Sequence, residues 1–275
     1  MTPKLSETEN AARRIRQQIV SVAHHAPSDG VHISPALSMV DILSVLYGVV
    51  MRYDAKDITS AHRDVFILSK GHAALGLYAT LCEFGIMTLE QLNTFELNGS
   101  VLQVHPTKHP EYGIDFSGGS LAQGLSFATG LALGRRLKGE TWHTYALVGD
   151  GECNEGAIWE CAFMAAHLNV DNLTLIVDRN GLQSDGHTAD VMRMDLEALW
   201  RACHWETIVC DGHDLQALTK AFAMPHNGKP KVIIADTVKG KGVSMMENNK
   251  EFHRNRISAQ QLSDALAELN GGTSC

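Results

Sequence analysis

Short apolar runs rich in Val, Ile and Leu recur along the chain and predict β-strands. The runs are continuous rather than alternating, which is typical of strands that are buried on both faces. Longer segments with helical spacing lie between them. The predicted strands cover residues 64–69, 145–148, 173–177, 206–210 and 231–238. The predicted helices cover residues 6–25, 37–50, 73–84, 88–97, 120–138, 155–167, 190–202, 213–223 and 258–270.

The alternation of strands and helices predicts an α/β fold with a mostly parallel sheet and helices on both faces. No stretch has the composition of a linker, so we expect a single domain over residues 1–275. Ligands of such sheets bind outside the carboxyl ends of the strands. The residues that follow each apolar run are therefore the first candidates for a functional site.

Two predicted strands end in polar residues that suit a hard metal ion. The run 145–148 leads into GDGE, and the run 173–177 leads into DRNG. If the two strands are neighbours, Asp150 and Asn180 lie side by side, and their oxygens suit Mg²⁺ or Ca²⁺. Mg²⁺ usually completes its shell with phosphate and water, and Gly151 lets a backbone amide approach a phosphate. The alternative is a plain turn, for which Asp-Gly is also typical.

Histidines beside glycine or proline are the second unusual feature of the chain, which contains 14 histidines. Those at predicted loop positions are His32, His72, His105, His109 and His253. If several converge on one pocket, their imidazoles suit phosphate binding and proton transfer. Otherwise they are ordinary surface histidines.

Composition narrows the possible partners and the compartment. The net charge of −8 is spread along the chain without a basic stripe, which argues against nucleic-acid binding. No apolar run reaches transmembrane length and the first residues lack signal-peptide features, so we expect a cytoplasmic protein that does not bind membranes. The cysteines at 82, 153, 161, 203, 210 and 275 have no metal-site spacing and are interpreted as reduced thiols.

Five segments together resemble, in this order, the N-terminal half of transketolases, which are thiamine diphosphate enzymes. They are ILSKGHAALGLYATL, HPTKHPEYGIDFSGGSLAQGLSFATGLALG, ALVGDGECNEGAIWE, LIVDRNGLQSDG and DTVKGKGVSMMEN. GDGxxxEG with a downstream Asn is the signature of thiamine diphosphate binding, and the GH and HP elements narrow the resemblance to transketolases. It extends from about His32 to His253 and implies the diphosphate-binding domain of the thiamine diphosphate-binding fold.

The resemblance implies a cofactor site as well as a fold. Asp150, Asn180 and the backbone carbonyl of Leu182 match the ligands of Mg²⁺, for which Ca²⁺ or Mn²⁺ can substitute. Gly151, His72 and His253 match groups that contact the diphosphate, and residues 119–121 match the segment against the aminopyrimidine. The full set of cofactor contacts implied is His72, Gly119, Ser120, Leu121, Gly151, Glu155, Asn180 and His253.

The same resemblance implies two groups of catalytic residues. One group lines the substrate channel, hydrogen-bonds sugar hydroxyls and moves protons; it consists of His32, His72, His105 and His253. The other group is Glu155 and Glu160, which match carboxylates that link two active sites across a dimer interface.

Several residues depart from the family pattern. Ala122 replaces a glycine, Gly118 a threonine, Ser184 an apolar residue and Arg254 a glycine. We expect these changes to affect substrate preference more than cofactor binding.

Complete transketolases carry a second, pyrimidine-binding domain that no segment of this sequence resembles. The resemblance therefore implies the N-terminal subunit of a split transketolase, inactive alone and assembled with a separate C-terminal subunit into a heterotetramer. Such an enzyme transfers a two-carbon ketol unit from a ketose phosphate to an aldose.

Three alternatives stay open at the level of the sequence. The first is the α subunit of a 2-oxoacid dehydrogenase, which the histidines of SKGH and HP disfavour because an oxoacid has no sugar hydroxyls to bind. The second is a deoxyxylulose-phosphate synthase. The third is a non-catalytic regulatory paralogue.

Overall fold

A five-stranded parallel sheet with the order β1-β2-β3-β7-β6 forms the centre of the computed structural model, which describes residues 3–271. Its strands are β1 (Val65–Leu68), β2 (Thr144–Gly149), β3 (Leu173–Arg179), β6 (Glu206–Asp211) and β7 (Lys231–Asp236). A small hairpin outside the sheet pairs β4 (Leu182–Gln183) with β5 (Gly186–His187). All five predicted strands and the parallel sheet are confirmed.

Helices surround this sheet. They are α1 (Pro3–His25), α2 (Ser34–Leu37), α3 (Val40–Val45), α4 (Ala74–Glu83), α5 (Leu89–Leu92), α6 (Gln123–Leu137), α7 (Gly156–His167), α8 (Thr188–Val191), α9 (Leu196–Ala202), α10 (Leu215–Ala223) and α11 (Ala259–Leu269). A π-helical turn, Leu46–Val50, extends α3. Short 3₁₀ turns occupy Ala55–Asp57, Gly71–Ala73, Pro110–Tyr112, Gly151–Asn154 and Lys250–His253.

Alternate residues of each strand face two separate hydrophobic cores. In β1, Phe66 and Leu68 join the core that includes α1, α3, α4, α10 and α11. Val65 and Ile67 join the opposite core, which includes α6, α7 and α9. Because both faces are covered, neither set of alternating positions needs to be polar. The continuous apolar runs in the sequence are explained by this double burial, and the prediction of helices on both faces is confirmed.

Three predicted helices were wrong in extent. The segment 37–50 is divided at Met39, whose backbone leaves helical geometry between α2 and α3. The segment 88–97 is helical only in α5, and Glu96 has a φ of +57°, which no helix accommodates. The segment 190–202 is split into α8 and α9, because Asp195 accepts the Ala198 amide at 3.0 Å and starts a new helix.

The strand register sets the position of the candidate site. Gly149 at the end of β2 lies opposite Asp178 in β3, which in turn lies opposite Ala235 in β7. The loops that carry Asp150 and Asn180 therefore leave the sheet side by side. The condition stated for the predicted metal site, that these two strands are neighbours, is met.

The structure also tests the expectations for cysteines and membrane helices. Cys82, Cys153, Cys161, Cys203 and Cys210 are free thiols, as predicted, whereas Cys275 lies outside the described residues. Between residues 3 and 271, no helix is long and apolar enough to cross a membrane.

Gly124 allows α6 to pack closely against the end of β1. A Cβ at this position would lie 2.6 Å from the Cα and Cβ atoms of Ser69. We expect Gly124→Ala to lower the free energy of unfolding by about 1–3 kcal/mol, the usual cost of overpacking. Thermal and urea unfolding of the isolated chain measures this change.

Gly130, on the exposed side of the same helix, provides the matched control. A Cβ there meets no atom within 4 Å. Gly130→Ala should leave stability unchanged or raise it by up to about 1 kcal/mol, because alanine has the higher helix propensity. Equal effects of the two substitutions would show that the close approach at Gly124 is unimportant.

Candidate functional site

A cavity of about 630 Å³ opens at the carboxyl-terminal ends of the strands, between the loops that follow β1, β2, β3 and β7. Most of the residues predicted for the site line it. These are His32, His72, Gly119, Leu121, Asp150, Gly151, Glu155, Asn180, Leu182 and His253. The structure thus brings together residues that are more than 200 positions apart in the sequence.

Asp150 is buried at the floor of this cavity. Its Oδ1 accepts the Gly151 amide at 3.0 Å, and its Oδ2 accepts the Gly181 amide at 2.7 Å. Burial, followed by the nearby charge of Asp178, raises the pKa of Asp150 to about 6. A carboxylate that is costly to ionise here gains from a cation beside it.

The other two predicted metal ligands lie next to Asp150. The Asn180 side-chain oxygen accepts the Leu182 amide at 3.2 Å, and the Leu182 carbonyl accepts from Lys239 Nζ at 3.1 Å. Within residues 3–271, no group of three or more His, Cys, Asp or Glu side chains could hold a metal. The predicted set has a single carboxylate, so it fits only a hard cation that takes further oxygens from phosphate and water.

Three histidines face one another on the wall of the cavity. The ring centroids of His32, His72 and His253 are 5.3–5.4 Å apart. Nδ1 of His32 and Nδ1 of His253 are buried and have no hydrogen-bond partner. Buried polar atoms without a partner are costly. These two nitrogens therefore fit a ligand that brings polar groups into the cavity.

Burial keeps these rings neutral. Desolvation is the main cause that lowers the pKa of His32 to about 4, of His72 to about 2 and of His253 to about 3. Neighbouring positive charges act in the same direction, with Lys70 the second cause at His72. A neutral imidazole has one donor and one acceptor nitrogen, so each ring can donate one hydrogen bond and accept another near pH 7.

Four other residues named from the sequence do not line the cavity. His105 lies near His32, with ring centroids 6.3 Å apart. Ser120 is exposed beside the cavity-lining residues Gly119 and Leu121. Glu160 is exposed on α7, and His109 bonds to Glu111 at 2.9 Å away from the cluster of rings.

Sequence reasoning missed the buried charges beneath the site. Lys70 forms an ion pair with Asp178, and both side chains are almost fully enclosed. Burial alone would raise the pKa of Asp178, but Lys70 and hydrogen bonds from Ser38 and Thr237 lower it. Lys239 lines the cavity, and burial lowers its pKa to about 8. Both lysines belong to glycine-containing motifs, SKGH and VKGKG. These motifs are the sequence feature that could have indicated the two lysines as candidates for the site.

Glu152 fixes the cavity wall near Ala122, where the family pattern has glycine. Its Oε1 accepts from Ser69 Oγ at 2.5 Å and from the Ala122 amide at 2.7 Å, and its Oε2 accepts the Gly149 amide at 3.0 Å. Ala122 has a φ of +69°. A left-handed conformation costs a non-glycine residue about 1–2 kcal/mol, so the hydrogen bonds of Glu152 hold this wall in a strained shape.

Comparison with known proteins identifies the family. Residues 8–270 match the family described as transketolase, thiamine diphosphate binding domain. The chain belongs to the transketolase family. The resemblance inferred from the motifs is confirmed, and with it the diphosphate-binding α/β fold of transketolases.

Relatives within the transketolase family include proteins of similar length. The chain is 39% identical over 265 residues to one subunit of the apulose-4-phosphate transketolase of Actinobacillus succinogenes, covering 96% of each. It is 36% identical over 241 residues to a 6-deoxy-6-sulfo-D-fructose transketolase subunit of a Clostridium species, covering 86% of this chain and 88% of the relative.

Solved transketolases share the architecture but extend beyond it. The transketolase of Campylobacter jejuni superposes on the whole chain with a TM-score of 0.87 and 26% identity. The aligned region covers 44% of that transketolase. This chain therefore corresponds to less than half of such an enzyme.

In the absence of Mg²⁺ and cofactor, replacing Asp150 by Asn should remove the loss of stability that this carboxyl causes as pH rises. Asn can accept only one of the two amides that Asp150 accepts, which adds a cost that does not depend on pH. The folded-state pKa of about 6 exceeds the ordinary value of 3.8. A carboxyl whose pKa is raised by folding stabilises the folded chain fully at pH values below its unfolded pKa. This stabilisation is lost as the pH rises through the folded pKa. The stability of Asp150→Asn relative to the wild type should therefore gain roughly 1–3 kcal/mol between about pH 4 and pH 6 and then stay constant.

Urea unfolding across this pH range measures the gain. Asp185→Asn, which changes an exposed carboxylate at the same cavity, is the control and should show no such pH dependence. A gain from Asp150→Asn that is as large at pH 4 as at pH 8 would contradict the assignment.

Proposed function

We propose that this chain is the diphosphate-binding subunit of a two-chain transketolase. The observation that carries the proposal is the convergence of the three histidines with Asp150 and Asn180 in one cavity at the carboxyl-terminal ends of the strands. Relatives named as transketolase subunits, which this chain matches over nearly their whole length, support the two-chain arrangement.

In this proposal the floor of the cavity holds thiamine diphosphate through Mg²⁺. Asp150, Asn180 and the Leu182 carbonyl supply the metal ligands, and Lys239 adds positive charge toward the diphosphate. Bound thiamine diphosphate supplies the electron sink for breaking the carbon–carbon bond beside a ketose carbonyl. The protein contributes binding, orientation and proton transfer.

The histidines act on the sugar. His32, His72 and His253 line the cavity that would hold the sugar, and their neutral rings can take up a proton from one hydroxyl and return it to another. The names of two relatives include sugars with a phosphate or a sulfo group. Arg254, whose charge contributes to the lowered pKa of His32, supports a substrate with an anionic end.

The complete enzyme in this proposal contains two copies of each chain. Glu155 lines the cavity, Glu160 is exposed on α7, and both would lie between two copies of this chain. The same helix exposes 61% of Phe163 and 46% of Met164. Large apolar side chains beside exposed carboxylates support a surface that is buried on assembly.

Reconstitution with a pyrimidine-domain subunit tests the proposal. We expect ketol transfer from phosphorylated or sulfonated ketoses only when both chains, thiamine diphosphate and Mg²⁺ are present. Removing the metal with a chelator should abolish the transfer, and Mg²⁺ should restore it. A stable complex that binds the cofactor but transfers nothing from a broad panel of ketoses would contradict a catalytic role.

His72→Ala should slow turnover of the assembled complex by at least about 100-fold, the typical contribution of a general acid or base. Steady-state kinetics measures the change, and size-exclusion chromatography checks that the complex still assembles. His109→Ala removes a histidine outside the cavity and should leave kcat unchanged. Wild-type kinetics for His72→Ala would show that this ring has only a structural role.

A further inference from the structure

The turn after β7 carries Lys239 into the candidate site. Lys239 is only 2% exposed, and its ammonium donates to the Leu182 carbonyl at 3.1 Å. Gly240 follows with a φ of +84°, and a Cβ there would lie 2.2 Å from the Met246 carbonyl oxygen. The turn is therefore tightly constrained, and the position of the lysine depends on what holds it.

One polar cluster behind the turn holds it on both sides of the lysine. His213 Nε2 accepts the Val238 amide at 2.8 Å, and Arg16 Nε donates to the Lys241 carbonyl at 3.0 Å. Asp41 joins the two side chains. It accepts from His213 Nδ1 at 2.7 Å and from the two Arg16 Nη atoms at 3.1 and 2.6 Å.

These hydrogen bonds define the tautomer of His213. A backbone N–H can only donate, so Nε2 carries no hydrogen and the proton is on Nδ1. That N–H donates to Asp41, which the bidentate Arg16 guanidinium holds in orientation. The side chains of Arg16, Asp41 and His213 are at most 14% exposed. Loss of one member therefore leaves the others with unsatisfied buried groups.

We propose that Arg16, Asp41 and His213 form a clamp that positions Lys239 for the diphosphate, with His213 as the positioning residue. The inference rests on the proposed function, because it assumes that Lys239 faces a bound diphosphate. None of the three clamp residues lines the cofactor cavity. They line a separate groove of about 860 Å³ that also borders α1, α10 and α11, so the clamp acts from behind the site.

A double-mutant cycle on the assembled two-chain complex tests the clamp. His213→Phe preserves a ring of similar size but removes both hydrogen bonds. We expect it to weaken thiamine diphosphate binding about tenfold, the scale of a buried hydrogen-bonded link. In a background of Lys239→Ala it should have no further effect, because the group that the clamp positions is already absent. Calorimetric titration measures the four affinities.

Two further variants separate positioning from general loss of structure. His213→Gln should recover much of the affinity, since its amide oxygen can accept the Val238 amide in place of Nε2. His226→Phe removes a histidine that forms hydrogen bonds with Thr174 and the Lys229 carbonyl at the amino-terminal ends of β3 and β7. It should leave cofactor affinity unchanged.

Hydrogen exchange gives a readout that does not require the cofactor. Amides in residues 237–243 should exchange faster in His213→Phe than in the wild type, and at the wild-type rate in His226→Phe. Independent, multiplying effects of His213→Phe and Lys239→Ala, or unchanged exchange in this segment, would overturn the clamp. A wild-type complex that binds no thiamine diphosphate would instead refute the proposed function, and the exchange measurement would still decide whether His213 holds the turn.

Discussion

The buried ion pair between Lys70 and Asp178 is the interaction on which the candidate site depends. Asp178 also accepts from Ser38 Oγ at 2.6 Å and from Thr237, and Lys70 donates to the Pro35 carbonyl at 2.8 Å. The pair thus ties the loops after β1 and β7, and the α2–α3 region, to the end of β3. Breaking such a pair leaves an uncompensated buried charge, at a cost of about 3–5 kcal/mol. The segments that carry His32, His72 and Lys239 are therefore joined through this pair.

Burial shifts several titratable groups around the cavity toward their neutral forms. It raises the pKa of Asp150 and lowers the pKa values of Lys239 and the three cavity histidines. Such a site lowers the stability of the free protein. A ligand whose charge is opposite to that of Asp150 or Lys239 binds more tightly, because it recovers part of the desolvation cost of that group. The strained backbone of Ala122 lowers the stability of the free protein further. The two large hydrophobic cores on either side of the sheet supply the stability that tolerates it.

The sequence alone was sufficient to predict the strands of the sheet and two residues of the candidate site, Asp150 and Asn180. Continuous apolar runs indicate strands buried on both faces, and the rule that ligands bind at strand ends leads directly to Asp150 and Asn180. Helix extents at 88–97 and 190–202 were not predictable from periodicity, since α5 already ends at Leu92 and the cap at Asp195 starts a new helix. Lysines are assumed to be exposed unless a partner is known. Lys70 pairs with Asp178, 108 residues away in the sequence, and His213 pairs with Asp41, 172 residues away. Local sequence patterns do not show pairs at such separations.

The contact between Lys239 and Leu182 gives the cavity a counter-ion of its own. The carbonyl that we assign to the metal already holds an ammonium group at 3.1 Å. A divalent cation at this oxygen would either share its two lone pairs with the lysine or replace the lysine, and in both cases it would meet the positive charge of the ammonium. The ammonium is carried by a constrained turn at the cavity, where its charge would attract an anion bound together with the metal. The affinity of this carbonyl for a metal would therefore be lower than that of a metal–carbonyl contact alone, because the lysine is already bound there.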